Sequence, residues 1–382
     1  TFDSKNLLNP GKIVRPYKSD DRSLMRYKSN YKPNDIKTSY DWSEWGKFSD
    51  AIEMCNNNGA CRKLDSGVMC PSYRVTKEEK DLVRGRANTL RLALSNQLPK
   101  DSFVSKEMYE TMELCVSCKA CQNECPMSVD MAKMKSEFLS HYFKKFSMSI
   151  KDRVISNMPK LIWLLRIVSP IFNKIKNYPV ISGIIRKFGY ATEREMPTVQ
   201  NQFPLKEIYK SQIKSENKVI LFADTFNINF EIQNLMYTIK VLNKFGYEAI
   251  IPSFDNDNLK RPLCCGRTYI SYGQLDKAAE ELNRFVNYIL VNGFYETPIV
   301  GIEPSCLLTF SDEFKTLKNV KNKDKLKNQF YLLEEFVLKE INQGNNIGLN
   351  KFDQNVLIHG HCHQKSQDRM KGLTGLLSKL NI

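Results

Sequence analysis

The sequence predicts a multidomain α+β protein: a small helical, cysteine-rich unit followed by an α/β unit whose sheet is mainly parallel. Three observations carry this. Seven of the eleven cysteines fall between Cys55 and Cys125, within a stretch of helical apolar periodicity. From Lys218 onward, short apolar runs alternate with helical patterns, as crossover helices on a parallel sheet require. At 382 residues the chain is too long for one small core.

Taken in order, residues 1–50 read as a polar, aromatic-bearing tail. Residues 51–147 form the helical unit. Leu82, Val83, Ala87, Leu90 and Leu94 give one apolar helix face behind a capping-box pattern at Thr76 and Glu79, and Met131, Met134, Phe138 and Tyr142 give another. Residues 148–217 are a connector of basic amphipathic helices, punctuated by Pro159, Pro170 and Pro179, then a polar linker with Pro197 and Pro204. In residues 218–382, strands are expected at 219–223, 247–251, 298–302 and 356–358. Helices are expected around Ile232 to Ile239, around Ala278 to Ile289, and over 330–338. The runs 219–224 and 356–361 both leave a strand pattern for a polar turn, which reads as an internal repeat with a truncated second copy.

The formal charge of +15 favours an acidic partner: nucleic acid, an anionic membrane surface or a negatively charged redox protein. Lysines are scattered among asparagines, with no concentrated basic patch interleaved with aromatics. A nucleic-acid-binding protein with a structural cluster therefore ranks last. A basic face beside Trp163 and Leu164 suits peripheral membrane contact, although three prolines interrupt the stretch. The apolar run 161–165 is stopped by Arg166, far short of the roughly 20 residues a spanning helix needs. The chain opens on Thr1 without a signal-peptide pattern. It reads as a cytoplasmic fragment, at most peripheral to the inner face of the membrane. In a reducing compartment clustered cysteines hold metal more often than disulfides.

Cys115-x2-Cys118-x2-Cys121-x3-Cys125-Pro126 is the strongest signal. A cubane needs converging thiolates; two-residue gaps let a tight loop aim three sulfurs inward, with the fourth cysteine where proline starts a helix. This is the bacterial ferredoxin spacing, in which the fourth cysteine often serves the neighbouring cluster. Zinc also takes paired cysteines, but three in a row followed by Cys-Pro favours a 4Fe-4S cluster. Cys55-x5-Cys61-x8-Cys70-Pro71 is a looser companion. Seven cysteines allow two clusters with one odd ligand, a three-iron cluster, or one four-iron cluster with spare thiols. The fourth ligand of Cys115, Cys118 and Cys121 is either Cys70 or Cys125. Arg84 and Arg86 are candidates for placing positive charge near the cluster.

The later cysteines follow strands. Cys264-Cys265-Gly266 comes after the second, Cys306 after the third, and His361-Cys362-His363 after the fourth, while Asp224 ends the first. These residues, with His359 and Glu303, would lie beyond the carboxyl ends of strands, where open α/β sheets place ligands. Together they are a candidate second metal site.

At these residues a resemblance enters. Cys264-Cys265-Gly266 with Glu303-Pro304-Ser305-Cys306 resembles the cysteine-rich CCG domain of heterodisulfide reductase and of glycolate-oxidase iron–sulfur subunits. Met69-Cys70-Pro71-Ser72-Tyr73, Arg84-Gly85-Arg86-Ala87-Asn88, the run 114–121 and His359-Gly360-His361-Cys362-His363-Gln364-Lys365 are similar to one branch. That branch is the fused FAD-linked oxidases of the D-2-hydroxyglutarate and D-lactate dehydrogenase type. Phe2-Asp3 and the run 8–13 resemble the closing segment of their FAD-oxidase domain. The resemblance implies an upstream flavin domain holding FAD, oxidation of a D-2-hydroxy acid there, and electron transfer through the clusters to a quinone-linked or soluble acceptor. An alternative is a separate iron–sulfur subunit, as in glycolate oxidase or anaerobic glycerol-3-phosphate dehydrogenase. CCG domains holding a non-cubane cluster use cysteines where this chain has Asp224 and Glu303, and a second CCG is expected at about residue 401. That departure argues against an iron–sulfur cluster in this domain. A mixed oxygen, nitrogen and sulfur site, or a structural role, remains open.

Overall fold

The computed structural model describes all residues except 1–2, 6, 14, 26, 28–29, 66, 188, 192, 201–207, 209, 253–260, 327–328, 346–347, 349–354 and 381–382. Phe2, Pro204 and the side chain of Trp163 thus lie outside the described residues.

Among the described residues the α/β unit holds four parallel strands in the order β2-β1-β3-β4: β1 Lys218–Phe222, β2 Glu248–Ile250, β3 Ile299–Gly301 and β4 Phe330–Leu332. Ile220 faces Ile250 on one side and Ile299 on the other. Side chains alternate along β1. Val219 and Leu221 join a core with Ile232, Leu235, Ile239 and Phe336, while Ile220 and Phe222 join the larger core on the opposite face. There Phe222 packs edge-on to Phe285 at 5.3 Å, and Phe310 stacks on Phe330 at 4.7 Å. Each such burial contributes about 1.5–3 kcal/mol.

The same core continues without a break into the helical unit through Leu82, Leu90, Met112, Met131 and Phe138. The helices Val83–Leu94 and Met131–Lys145 stand where periodicity puts them, and a further helix, Lys106–Glu113, lies between them. Part of the tail is drawn into the join. Tyr40 and Trp42 are buried, Tyr40 bridges Leu317, and the buried Glu137 carboxylate accepts from Ser39 N, Tyr40 N and Trp42 Nε1. The polarity of the first fifty residues hides this strap. Gly273 marks how closely the two units meet: a Cβ there would stand 2.6 Å from the Leu139 and Ser140 backbone.

Several expectations are corrected. Residues 330–332 form β4, and the helix begins at Leu333, where Glu335 Oε2 accepts from the Leu332 N–H. Residues 356–358 are not a strand: Leu357 is 99% exposed and the segment pairs with nothing in the sheet, so the second copy of the repeat lacks its strand here. Thr76 and Glu79 form no capping box, because Thr76 closes the helix Pro71–Thr76 and Glu79 opens a 3-10 turn. The connector prolines do not cut its helices short. Pro159 and Pro179 sit at helix starts, where a missing N–H costs nothing, and Pro170 lies inside the 18-residue helix Met158–Ile175. The carbonyl of Arg166, which Pro170 cannot serve, is taken by the Ser169 hydroxyl at 2.8 Å.

Candidate iron–sulfur site

Helix ends and strained turns set up the cysteines. Cys115 follows the helix Lys106–Glu113. Ser117 and Lys119 then take left-handed backbone (φ 53° and 62°), which folds the loop tightly before Cys121 enters the helix Ala120–Glu124. Cys70 precedes the helix Pro71–Thr76, with Pro71 in its first turn. Cys125 differs. It closes the helix Ala120–Glu124, and the next helix starts only at Met131 behind the Asp130 cap, so Pro126 starts no helix.

Cys70, Cys115, Cys118 and Cys121 line one small cavity together with Arg86, while Cys55, Cys61 and Cys125 do not. Backbone N–H groups are aimed at the sulfurs: Val83 at Cys70, Ala120 at Cys118 and Met131 at Cys121. Arg84 N–H serves Cys61, so the first turn of the helix Val83–Leu94 touches both cysteine sets. Burial pushes the Cys70 thiol up to about 12 and Cys118 to about 11, and holds Cys121 well above the usual range. Such thiols become thiolates only beside strong added positive charge, which bound iron supplies. Among the described residues no three His, Cys, Asp or Glu side chains gather closely enough for a single metal ion.

Arg86 is 1% exposed. Its Nε donates to Thr111 O, Nη1 to Asp81 O and Nη2 to Ser72 Oγ, at 2.9, 2.7 and 3.2 Å. Arg84 forks onto Glu79 at 2.6 and 2.8 Å, close to Cys55 and Cys61. Each arginine therefore stands beside one cysteine set.

A charged seam that sequence reasoning missed joins the cluster loop to the α/β unit. Lys119, between Cys118 and Cys121, is 2% exposed and pairs with Asp312 and, at 2.5 Å, with Glu313. Lys133 reaches Asp312 at 3.3 Å and Asp130 at 3.5 Å. Arg267 forks onto Glu313 at 2.6 and 2.9 Å and donates to Ser305 O. Against the upward push of burial, Arg267 and Lys119 hold Glu313 well below the carboxylate range. His363 Nε2 meets Ser117 O at 3.1 Å; burial, then Arg267 and Lys119, lower it to about 3, so it is neutral and donates. Cys362 lies in the field of Cys118. The only sequence signal for this seam was a lysine inside a cysteine loop.

The remaining candidates stand near one another, with Cys306 beside Cys265 and in the field of Asp224, Cys264 and Glu303, and each also makes local bonds. Asp224 accepts from Phe226 N, Asn227 N and Asn227 Nδ2, capping the helix Thr225–Asn229. Glu303 caps Pro304–Ser311 through Ser305 N and Oγ, 3.9 Å from His361 Nε2. Cys264 and Cys265 accept from Gly266 N and Arg267 N at 3.4 Å, and Cys306 lies against Cys265. Gly266 is required: its φ is +76°, and a Cβ would meet the Ala278 backbone at 3.1 Å.

Comparison with known proteins follows the same division. Residues 51–129 match the 4Fe-4S dicluster domain family. The D-2-hydroxyglutarate dehydrogenase of Escherichia coli is 22% identical over 361 residues, 82% of this chain and 34% of the relative. That of Pseudomonas putida is 24% identical over 360 residues, 82% of this chain and 35% of the relative. This chain is related to the iron–sulfur part of the D-2-hydroxyglutarate dehydrogenases. It spans about a third of the length of these dehydrogenases. An uncharacterized iron–sulfur protein of Methanocaldococcus jannaschii is 23% identical over 300 residues, 68% of this chain and 58% of that protein. No solved structure matches the chain.

Proposed function

We propose that this chain is the electron-transfer part of an FAD-linked D-2-hydroxy-acid dehydrogenase, delivering electrons from a flavin domain to a quinone-linked or soluble acceptor. The observation that carries the reading is the cavity shared by Cys70, Cys115, Cys118 and Cys121, inside a chain related to D-2-hydroxyglutarate dehydrogenases. Cys70, rather than Cys125, is the fourth ligand in this reading, and Cys125 belongs with Cys55 and Cys61. A 4Fe-4S cluster, when bound, takes up and releases single electrons where flavin handles pairs.

The chain's own residues do the rest. Peptide N–H groups on the cysteine sulfurs and the guanidinium of Arg86 favour the more negative, reduced state and so raise the potential. The seam from Lys119 to Arg267 fixes the loop that carries Cys118 and Cys121. The mixed site in the α/β unit is read as structural, its two carboxylates being engaged as helix caps.

Rapid mixing of the protein, together with its flavin-bearing part, with D-2-hydroxyglutarate tests this reading. Bleaching of the cluster absorption after flavin reduction supports it. A reduced flavin beside clusters that stay oxidised would sink it. A second reading, a separate iron–sulfur subunit, draws support from the likeness to the M. jannaschii protein.

A further inference from the structure

The connector helix Met158–Ile175 is built inside out. Its inward side holds Ile162 together with Arg166, Ser169 and Lys176 just beyond its end; Arg166 is 8% and Lys176 7% exposed. Ser169 donates to the Arg166 carbonyl, while Lys176 and Asn173 bind the 196–199 segment. Lys176 Nζ donates to Met196 O at 2.5 Å and Thr198 Oγ1 at 2.9 Å, and Asn173 exchanges two hydrogen bonds with the Val199 backbone. Its outward side is the apolar one. Leu164, Ile167, Val168 and Ile171 recur at the spacing of one helix face, and Ile167 is 79% and Ile171 65% exposed. The next helix, Pro179–Lys187, buries no residue and exposes Val180 and Ile184, with Tyr178 just before it. A helix that hides its charges and shows its aliphatic face to water costs free energy on both sides. A contiguous patch of this kind marks an interaction surface.

Charge selects the occupant. Residues 153–192 contain seven lysines and arginines and no aspartate or glutamate. Lys174, Arg186 and Lys187 are exposed around the apolar face. Arg186 also reaches Glu193 at 3.6 Å, a pair in which both partners are largely exposed. An apolar face with a cationic rim suits an anionic bilayer, whose headgroups take the lysines and arginines while aliphatic side chains enter the acyl boundary. Tyr178 has the amphipathic character that favours that depth. Among the described residues no helix is long and apolar enough to cross a membrane, so the contact lies along the surface.

We infer that the helices Met158–Ile175 and Pro179–Lys187 form a docking face for an anionic lipid surface. This goes beyond the electron-transfer reading and stands without it, since none of these residues belongs to the cysteine loops. It places the chain against the phase in which a lipid-soluble acceptor would reside.

Flotation of the full chain with vesicles tests it, using phosphatidylcholine alone and an equal mixture with phosphatidylglycerol. Binding to the mixed vesicles is expected, weakened at least about tenfold in plain phosphatidylcholine and in the I167E/I171E variant. It should also fall with added salt and in the K174Q/K187Q variant. Both variants change exposed positions, so unchanged far-ultraviolet circular dichroism and iron content are expected. Three results would overturn the inference: no flotation with mixed vesicles, I167E/I171E floating like the unmodified chain, or a concentration-dependent dimer abolished by I167E/I171E with no lipid binding.

Discussion

At the residue scale, the account rests on charges placed beside buried thiols. Lys119 is the clearest case, a cation buried in a cysteine loop and neutralised from another unit by Asp312 and Glu313. Removing one partner of such a group strands the others. Lys119→Met is expected to cost about 3–5 kcal/mol, and Lys119→Met combined with Asp312→Asn distinctly less than the sum of the two single changes; urea unfolding measures both. The acid response follows from the same pair. The folded Glu313 pKa is depressed, so its contribution is present above the ordinary carboxylate value of about 4.3 and is lost as pH falls below that toward the folded value. Glu313→Gln should lower stability at neutral pH and flatten the acid limb of the stability–pH profile. An acid limb as steep as that of the parent protein would contradict this. Arg86→Gln, which removes positive charge from the cavity wall, is expected to lower the cluster's midpoint potential in a spectroelectrochemical titration. An unchanged potential would confine Arg86 to its hydrogen bonds with Thr111 and Asp81.

At the element scale, the two cysteine motifs are not equivalent. Pro71 opens a helix directly after Cys70, whereas Cys125 closes one. Cys70→Ala is therefore expected to abolish the signal of the cluster on Cys115, Cys118 and Cys121, and Cys125→Ala to leave it. Electron paramagnetic resonance of the reduced variants separates the outcomes, and the reverse pattern would restore the local arrangement. Gly266→Ala should destabilise the α/β unit by about 1–3 kcal/mol, since both φ and the Ala278 backbone oppose a side chain. Much of this scale was legible. Apolar periodicity gave the helices carrying Leu82 to Leu94 and Met131 to Tyr142, because one face of each enters the core. Short apolar runs were not legible in the same way. Phe330-Tyr331-Leu332 leads directly into a helix with its own apolar face, so strand and helix fused into one pattern. Val356-Leu357-Ile358 has the composition of a buried strand and is exposed, because strand formation depends on a neighbour as well as on the segment. Pro170 was read as a break because the sequence does not reveal that Ser169 would take the Arg166 carbonyl.

At the scale of the whole molecule, one core runs from the cysteine loops to a face of the sheet, and the buried charges lie across that join. The cluster loop was legible because thiol spacing is a local property. The seam was not, since 193 residues separate Lys119 from Asp312 and only folding brings them together. The candidate C-terminal metal set is gathered around Cys306, with its polar groups also engaged locally. Positions after successive strands share an end of the sheet, but Asp224 and Glu303 cap helices there, and His363 turns toward Ser117. Iron and acid-labile sulfide per chain, measured on anaerobically purified protein with electron paramagnetic resonance of the reduced form, test the central claim most directly. The account predicts at least about four irons with matching sulfide and a reduced-cluster signal that disappears in Cys118→Ala. Stoichiometric zinc without sulfide would contradict it.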